Sequence, residues 1–224
     1  KLTVGRVQTP TLAMLVERAG QISNFQKEKY FNVELDCDGI PAVKPKIFDP
    51  DEAEQLRNRC QGSEAIVTAV KETEKKVKAP KLYDLTTLQR EANRIYGMTA
   101  KQTLDTAQSL YEKKLITYPR TDSQYLTEDM EQTARNVVRQ IYEKYQLTGP
   151  FDQPEQPDVK KVMNNSKVTD HHAIIPTMEL ASSHLDELKS WEEKILFLIA
   201  VHTVMAMSKD HIYQETEIEV ECQG

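Results

Sequence analysis

The stretch ITYPRTDS, Ile116 to Ser123, sets a tyrosine directly before a proline and an arginine directly after it. Proline disfavours the helical region for the residue that precedes it, so Tyr118 is expected to be extended. Side chains two apart in an extended segment point the same way, which predicts that Tyr118 and Arg120 share a face. A guanidinium matches phosphate geometry in a bidentate manner, and a phenol oxygen serves as a covalent nucleophile. Free tyrosine has a pKa of about 10, so it attacks poorly unless its anion or the developing charge is stabilised. A neighbouring guanidinium does both. On these two residues alone, a turn with a packed Tyr118 and a solvated Arg120 is the simpler reading, since the chain holds nine tyrosines.

Working upstream, Leu85, Leu88, Ala92 and Ile95 form one helical stripe that stops at Gly97. Thr99 to Gln102 fits a capping box, and Leu104, Ala107 and Leu110 continue the apolar face of a second helix. Further back the period changes. Phe31, Val33, Leu35 and Cys37 alternate with polar residues and predict a half-buried strand. Pro41, Pro45 and Pro50 are expected to interrupt the chain. Asp49-Pro50-Asp51-Glu52 is a helix start, and that helix is expected to end near Arg59. Ala65 to Lys71 reads as another strand, and the lysine-rich run to Lys81 as a linker or exposed strand end. Near the start, Thr11 to Ala19 is a short helix with Leu12, Leu15, Val16 and Ala19 on one face.

Downstream, Thr127 is expected to cap a long helix whose face is Met130, Ala134, Val137, Val138, Ile141 and Tyr145. Gly149 to Asn165 is polar with three prolines and reads as an exposed loop. Ser190-x-x-Glu193 predicts the start of a last helix, which runs to about Met207. Ile212 to Cys222 alternates as a strand. The resulting fold class is α+β. The expected parts are a helical segment over 1–28, a β-rich part over 29–80, a helical domain over 81–187 and a returning β-rich part over 188–224.

Composition narrows the functional classes. The chain has 224 residues, 39% hydrophobic and 29% charged, as expected of a globular protein. No apolar run reaches the length of a membrane span. Three cysteines without a Cys-x-x-Cys pair do not support a zinc ribbon and suit a reduced, cytoplasmic setting. A net charge of −6 argues against a nucleic-acid partner, but it describes the average surface and not a local groove. The chain lacks an initiator methionine, and its last residues still read as a strand, so it is expected to be part of a longer protein.

Three segments together carry more than any one of them. Ile116 to Ser123 closely resembles the active-site segment of type IA DNA topoisomerases. Val4-Gly5-Arg6-Val7-Gln8-Thr9-Pro10 is similar to that family's glycine-arginine-valine-glutamine motif. Asp170-His171-His172-Ala173-Ile174-Ile175-Pro176-Thr177 is similar to its histidine motif, in the two-histidine version of the topoisomerase III branch. They occur in the family's order, and Leu82 to Glu112 fits the helices that lead to the tyrosine.

The resemblance implies a helical domain, carrying the active-site tyrosine, inserted in a β-rich gate domain. It implies a single-stranded DNA partner, with Tyr118 as nucleophile forming a 5′-phosphotyrosine link and Arg120 stabilising the attacked phosphate. His171 would bond a phosphate or the neighbouring acid. Arg6 and Gln8 would hold the strand. Gln108 and Tyr111 match positions that contact a base, and Thr117, Asp122 and Ser123 would be strand or supporting contacts. For Tyr111, base stacking and core packing stand equal on spacing alone.

The same resemblance places Mg2+ in a Toprim domain that nothing in this chain matches. No metal is therefore expected here, and this chain alone is not expected to relax supercoiled DNA. Adjacent histidines on an extended segment point apart, which argues against a shared ion. His184, His202 and His211 fit no motif. A monomer is expected, and a helicase partner for the parent is within what the resemblance allows. Two other classes compete. A helical module that grips single strands without cutting them would leave no covalent product. A tyrosine recombinase needs several dispersed catalytic arginines, which these motifs do not supply.

Overall fold

A computed structural model describes residues 5–147 and 157–223. Val4 and the first part of the expected 149–165 loop lie outside the described residues. The chain divides into two compact units, the first comprising 1–73 with 215–224 and the second comprising 74–214.

In the first unit, α1 (Gln8–Ser23) is longer than expected and buries none of its residues, so its apolar face of Leu12, Leu15 and Val16 is exposed. Strand β1 (Phe31–Cys37) forms an antiparallel hairpin with β2 (Ile40–Ile47). This corrects the expectation that Pro41 and Pro45 interrupt the chain. A two-stranded ribbon has free edges, where a residue without an N–H is tolerated. The turn is Asp38-Gly39, with φ of 54° and 87°, and two successive positive φ values match the twist of a tight hairpin. Helix α2 (Pro50–Cys60) starts as expected, with the Asp49 carboxylate accepting the Asp51 N–H at 2.9 Å. Val33, Ile47 and Ala53 form a small core.

Strand β3 (Ile66–Val77) extends well beyond the expected Lys71 and pairs with β4 (His211–Glu221) in a second two-stranded sheet. Within the first unit, the Thr68 hydroxyl donates to the Glu219 carbonyl at 3.3 Å.

The second unit holds the large core. Helix α3 (Leu85–Tyr96) starts on a capping box between Asp84 and Thr87 and ends at Gly97, whose φ of 68° is the left-handed C-terminal conformation. Helix α4 (Ala100–Glu112) starts on the predicted Thr99–Gln102 box. Leu88, Ala92, Ala107 and Leu110 are fully buried, as their spacing predicts.

Helix α5 (Glu131–Tyr145) follows a 3₁₀ turn over Glu128–Met130. The expected Thr127 cap does not form. The Asn165 side chain accepts the Glu128 N–H at 2.8 Å instead, so a distant loop supplies the acceptor. Helix α6 (Ser190–Ala206) likewise is not capped by Ser190 and Glu193. Glu192 accepts the Lys189 backbone N–H at 2.9 Å.

α6 packs against α3, α4 and α5, so the return to β structure comes later than the expected position 188. Val159 and Val162, expected in an exposed loop, are buried in the same core. No helix among the described residues is long and apolar enough to cross a membrane.

Candidate functional site

The chain leaves α4 abruptly. Lys114 takes a left-handed φ of 62°, and the Leu115 N–H returns to the Leu110 carbonyl at 2.9 Å. These bonds satisfy carbonyls that a helix end would otherwise leave free. Leu115 and Ile116 then dive into the core, at 5% and 1% exposure. They anchor the segment on which Tyr118 sits.

A second buried segment, Ala173 to Pro176, runs beside it. The Thr177 N–H donates to the Leu115 carbonyl and the Thr117 N–H to the Ile175 carbonyl, each at 3.0 Å. The Thr117 hydroxyl completes the seam, donating to the Ala173 carbonyl at 2.9 Å and accepting the Ile175 N–H at 3.0 Å. On its other side the Ile174 N–H bonds the Tyr83 carbonyl at 2.8 Å, and the Ala173 N–H bonds the Tyr125 carbonyl at 2.9 Å. Backbone groups in a dry interior must be paired, and here single bridges do so where a regular sheet is absent.

This seam brings the Tyr118 ring to 4.3 Å from the His171 ring, tilted by 44°. The Tyr111 ring meets Tyr118 edge-on at 5.3 Å, an arrangement that suits aromatic quadrupoles. Tyr118 is half-buried, whereas Tyr111, Arg120 and His171 are exposed. The straight extended run expected around Pro119 is absent, because the backbone bends at Thr117, Pro119 and Arg120. Among the described residues the Tyr118 hydroxyl and the Arg120 guanidinium form no hydrogen bond or ion pair, so both remain open to a ligand. His172 turns away from His171, with Nδ1 at 2.9 Å from the Ala173 carbonyl. No group of three His, Cys, Asp or Glu side chains among the described residues could hold a metal ion.

The remaining candidates divide. Tyr111 is 39% exposed, which decides against core packing. Gln108 lies one turn before Glu112 on α4 and donates to its carboxylate at 3.1 Å. Asp122 is exposed. Ser123 is 4% exposed, and its hydroxyl bonds the Lys167 carbonyl at 2.9 Å. It therefore fixes the loop before His171 from inside and does not face a strand. Thr121 does the same through the His171 carbonyl at 3.0 Å. Arg6 and Gln8 lie in the first unit at the start of α1, where both are exposed. A Cβ at Gly5 would meet the Gln8 side chain at 3.2 Å.

One group that the sequence did not flag supports α4. Glu192 is 3% exposed, and its carboxylate accepts from Ser109 at 2.7 Å and from Lys113 at 2.6 Å. Burial alone would raise its pKa. The Lys113 and Ser109 hydrogen bonds and the Lys189 N–H outweigh that and hold it at about 2. Glutamate near a helix N-terminus is common, so no pattern in the sequence separates this one from its exposed neighbour Glu193.

The chain is similar to known proteins over its whole length. A family model described as DNA topoisomerase matches residues 1–224. DNA topoisomerase 3 of Bacillus licheniformis is 37% identical over 239 aligned residues, covering 100% of this chain and 32% of that protein. DNA topoisomerase 3 of Bacillus subtilis is 37% identical over 234 residues, again covering 100% of this chain and 32% of the relative. The chain thus spans about a third of the length of these curated relatives. Among solved structures, full-length topoisomerase I from Thermotoga maritima superimposes with a TM-score of 0.74 at 28% identity, covering 100% of this chain and 37% of that one.

Proposed function

This chain belongs to the type IA DNA topoisomerase family, and from that premise we propose that it carries the cleavage tyrosine of such an enzyme and acts on single-stranded DNA. Tyr118 attacks a backbone phosphorus. The Oη–P bond forms as the P–O3′ bond breaks. The phenol gives up its proton, and the departing 3′ oxygen takes one. One phosphodiester replaces another, so the 5′-phosphotyrosine link stores the energy needed for resealing after strand passage.

The observation that carries this reading is the cluster itself. A half-buried tyrosine with an uncommitted hydroxyl lies against His171 and Tyr111, and Arg120, two residues on, is exposed. Arg120 is assigned to the equatorial oxygens of the attacked phosphate, where a fork of N–H donors stabilises developing charge. His171 is assigned to a phosphate oxygen or a neighbouring acid. Tyr111 and Gln108 are assigned to a base upstream of the cut, with stacking on the exposed Tyr111 ring. Asp122, Arg6 and Gln8 are assigned to the strand. Ser123 is a positioning residue.

Magnesium, which the family resemblance implies, finds no three-ligand set among the described residues, and no step here is derived through it. We assign strand cutting to the parent protein and expect no relaxation of supercoiled DNA by this chain alone. The test is covalent capture. The full-length parent is incubated with 3′-end-labelled single-stranded DNA and denatured. Label is expected to remain on protein, since the fragment that carries it is held through its 5′ phosphate, and to be lost in Tyr118→Phe. A non-catalytic strand-gripping module would bind without leaving label. Label persisting in Tyr118→Phe removes Tyr118 from its role.

A further inference from the structure

Away from the tyrosine cluster, α3 and the segment before it border a cavity of about 390 Å³. Lys81, Arg90, Arg94 and Gln124 line it, with Thr87 and Glu91, and none of Tyr111, Tyr118, Arg120 or His171 does. Its floor is rigid. His202 stacks on Tyr83 at 3.7 Å and bonds the Lys81 carbonyl at 2.7 Å. Glu91 is the lining carboxylate, and Arg94 engages it at 2.7 and 3.3 Å along the same helix. That pair is neutral.

Two lining cations are then left over, and Lys167, outside the lining, adds a third. Arg90 and Lys81 are exposed and pair with no carboxylate among the described residues. Lys81 lies 5.7 Å from the centroid of the Tyr125 ring, and Lys167 lies 4.9 Å from the same centroid. Attraction to the ring face localises both ammonium groups. Two cations held at one ring repel each other unless an anion neutralises them. These cations stand against an overall net charge of −6. Tyr125 and Lys167 are also tied to the tyrosine segment, since the Ser123 hydroxyl bonds the Lys167 carbonyl and contacts the Tyr125 carbonyl at 3.3 Å.

We propose that Lys81, Arg90 and Lys167, arranged around this cavity and the Tyr125 ring, form a second contact site for the phosphodiester backbone of single-stranded nucleic acid, separate from the cleavage tyrosine. Its ligand class rests on the reading of this chain as a single-strand-binding protein. The site neutralises phosphates and reads no bases. Gln124 supplies a neutral hydrogen-bonding group along the same wall.

The experiment is a salt titration. A short fluorescein-labelled oligothymidylate is bound to this chain and to the triple variant Lys81→Gln/Arg90→Gln/Lys167→Gln, with anisotropy read across salt concentrations. Each phosphate contact on a single strand adds about 0.7 to the slope of log affinity against log salt, so three lost contacts lower the slope by about 2. Between about 50 and 200 mM salt, the unaltered chain should lose roughly 20-fold more affinity than the variant.

A control variant, Lys101→Gln/Arg139→Gln/Lys160→Gln, removes equal charge elsewhere on the second unit and should keep the parent slope. The altered residues are exposed, and circular dichroism checks that both variants fold. An unchanged slope in the first variant overturns the site, as does an equal fall in the control or no binding by the unaltered chain. None of these outcomes touches the tyrosine assignment, which is read by covalent capture.

Discussion

Replacing Glu192 by glutamine tests whether α4, and with it Tyr111 and Gln108, is clamped to α6 by charge. The folded protein lowers this carboxyl from 4.5 to about 2, which corresponds to about 3 kcal/mol at 1.36 kcal/mol per unit. Glutamine keeps the shape and one acceptor but not the charge facing Lys113. At pH 7 the variant should therefore be about 2–3 kcal/mol less stable.

The pH dependence carries a definite sign. A depressed carboxyl contributes fully above its unfolded value of 4.5, and the contribution fades as pH falls towards 2. The gap between the parent chain and Glu192→Gln should be halved by about pH 3, where the wild-type carboxyl is neutral in the unfolded chain and partly so in the native one. Trp191, the single tryptophan, sits beside the substituted residue. Its fluorescence follows urea unfolding of the second unit without interference from the first. A gap below about 0.5 kcal/mol at pH 7, the level of an unremarkable surface substitution, would refute the clamp. So would a gap that does not change between pH 7 and 3.

Two further substitutions probe the elements that place the tyrosine. Thr117→Val keeps the shape but strands the Ile175 N–H and leaves the Ala173 carbonyl with His172 Nδ1 alone. It should destabilise the second unit by about 1–3 kcal/mol in the same urea assay, and should lower the yield of trapped DNA in the parent by loosening His171 from Tyr118. Gly97→Ala meets no atom within 4 Å, but the φ of 68° is strained for any side chain. It should cost about 1 kcal/mol, read as a lower urea midpoint with unchanged slope.

Much of the helical core was legible because its signals are local. The Thr99 start, the Gly97 stop and the buried Leu88 and Ala92 depend on residues within a turn or two of one another, although Ile95, expected on the same stripe, is exposed. What the sequence hid involves distant partners. Asn165, not Thr127, satisfies the Glu128 N–H, from 37 residues away. Val159 and Val162 read as loop because their neighbours are polar, yet both are drawn into a core formed by other elements. The hairpin was masked by its own prolines, although Asp38-Gly39 is a strong turn signal.

At the site, residue chemistry alone linked Tyr118 only to Arg120. His171 joined it through the resemblance of a segment more than fifty positions away. The physical link is the Thr117 hydroxyl, whose role no periodicity encodes. Ser123 shows the converse. Its place at the end of the motif left strand contact and support both open, and its burial makes it part of the scaffold.

The arrangement also bears on how an acidic chain would receive a polyanion. Net charge sets the sign of the distant field, which is screened beyond about 10 Å at ordinary salt. Within that range the local inventory governs. Around Tyr118 it consists of an uncommitted guanidinium, an exposed imidazole and two phenol rings. The buried seam closes the opposite side, since Leu115, Ile116 and Ala173 to Pro176 are all interior. On the proposed reading, a phosphate reaches Tyr118 beside the exposed His171 and Tyr111 rings. A stacking ring there favours a single strand over a duplex, whose bases are already stacked on one another. The same inventory explains why covalent capture, and not affinity, is the decisive measurement. Affinity sums every cation on the surface, whereas capture requires one oxygen to be aligned with one phosphorus.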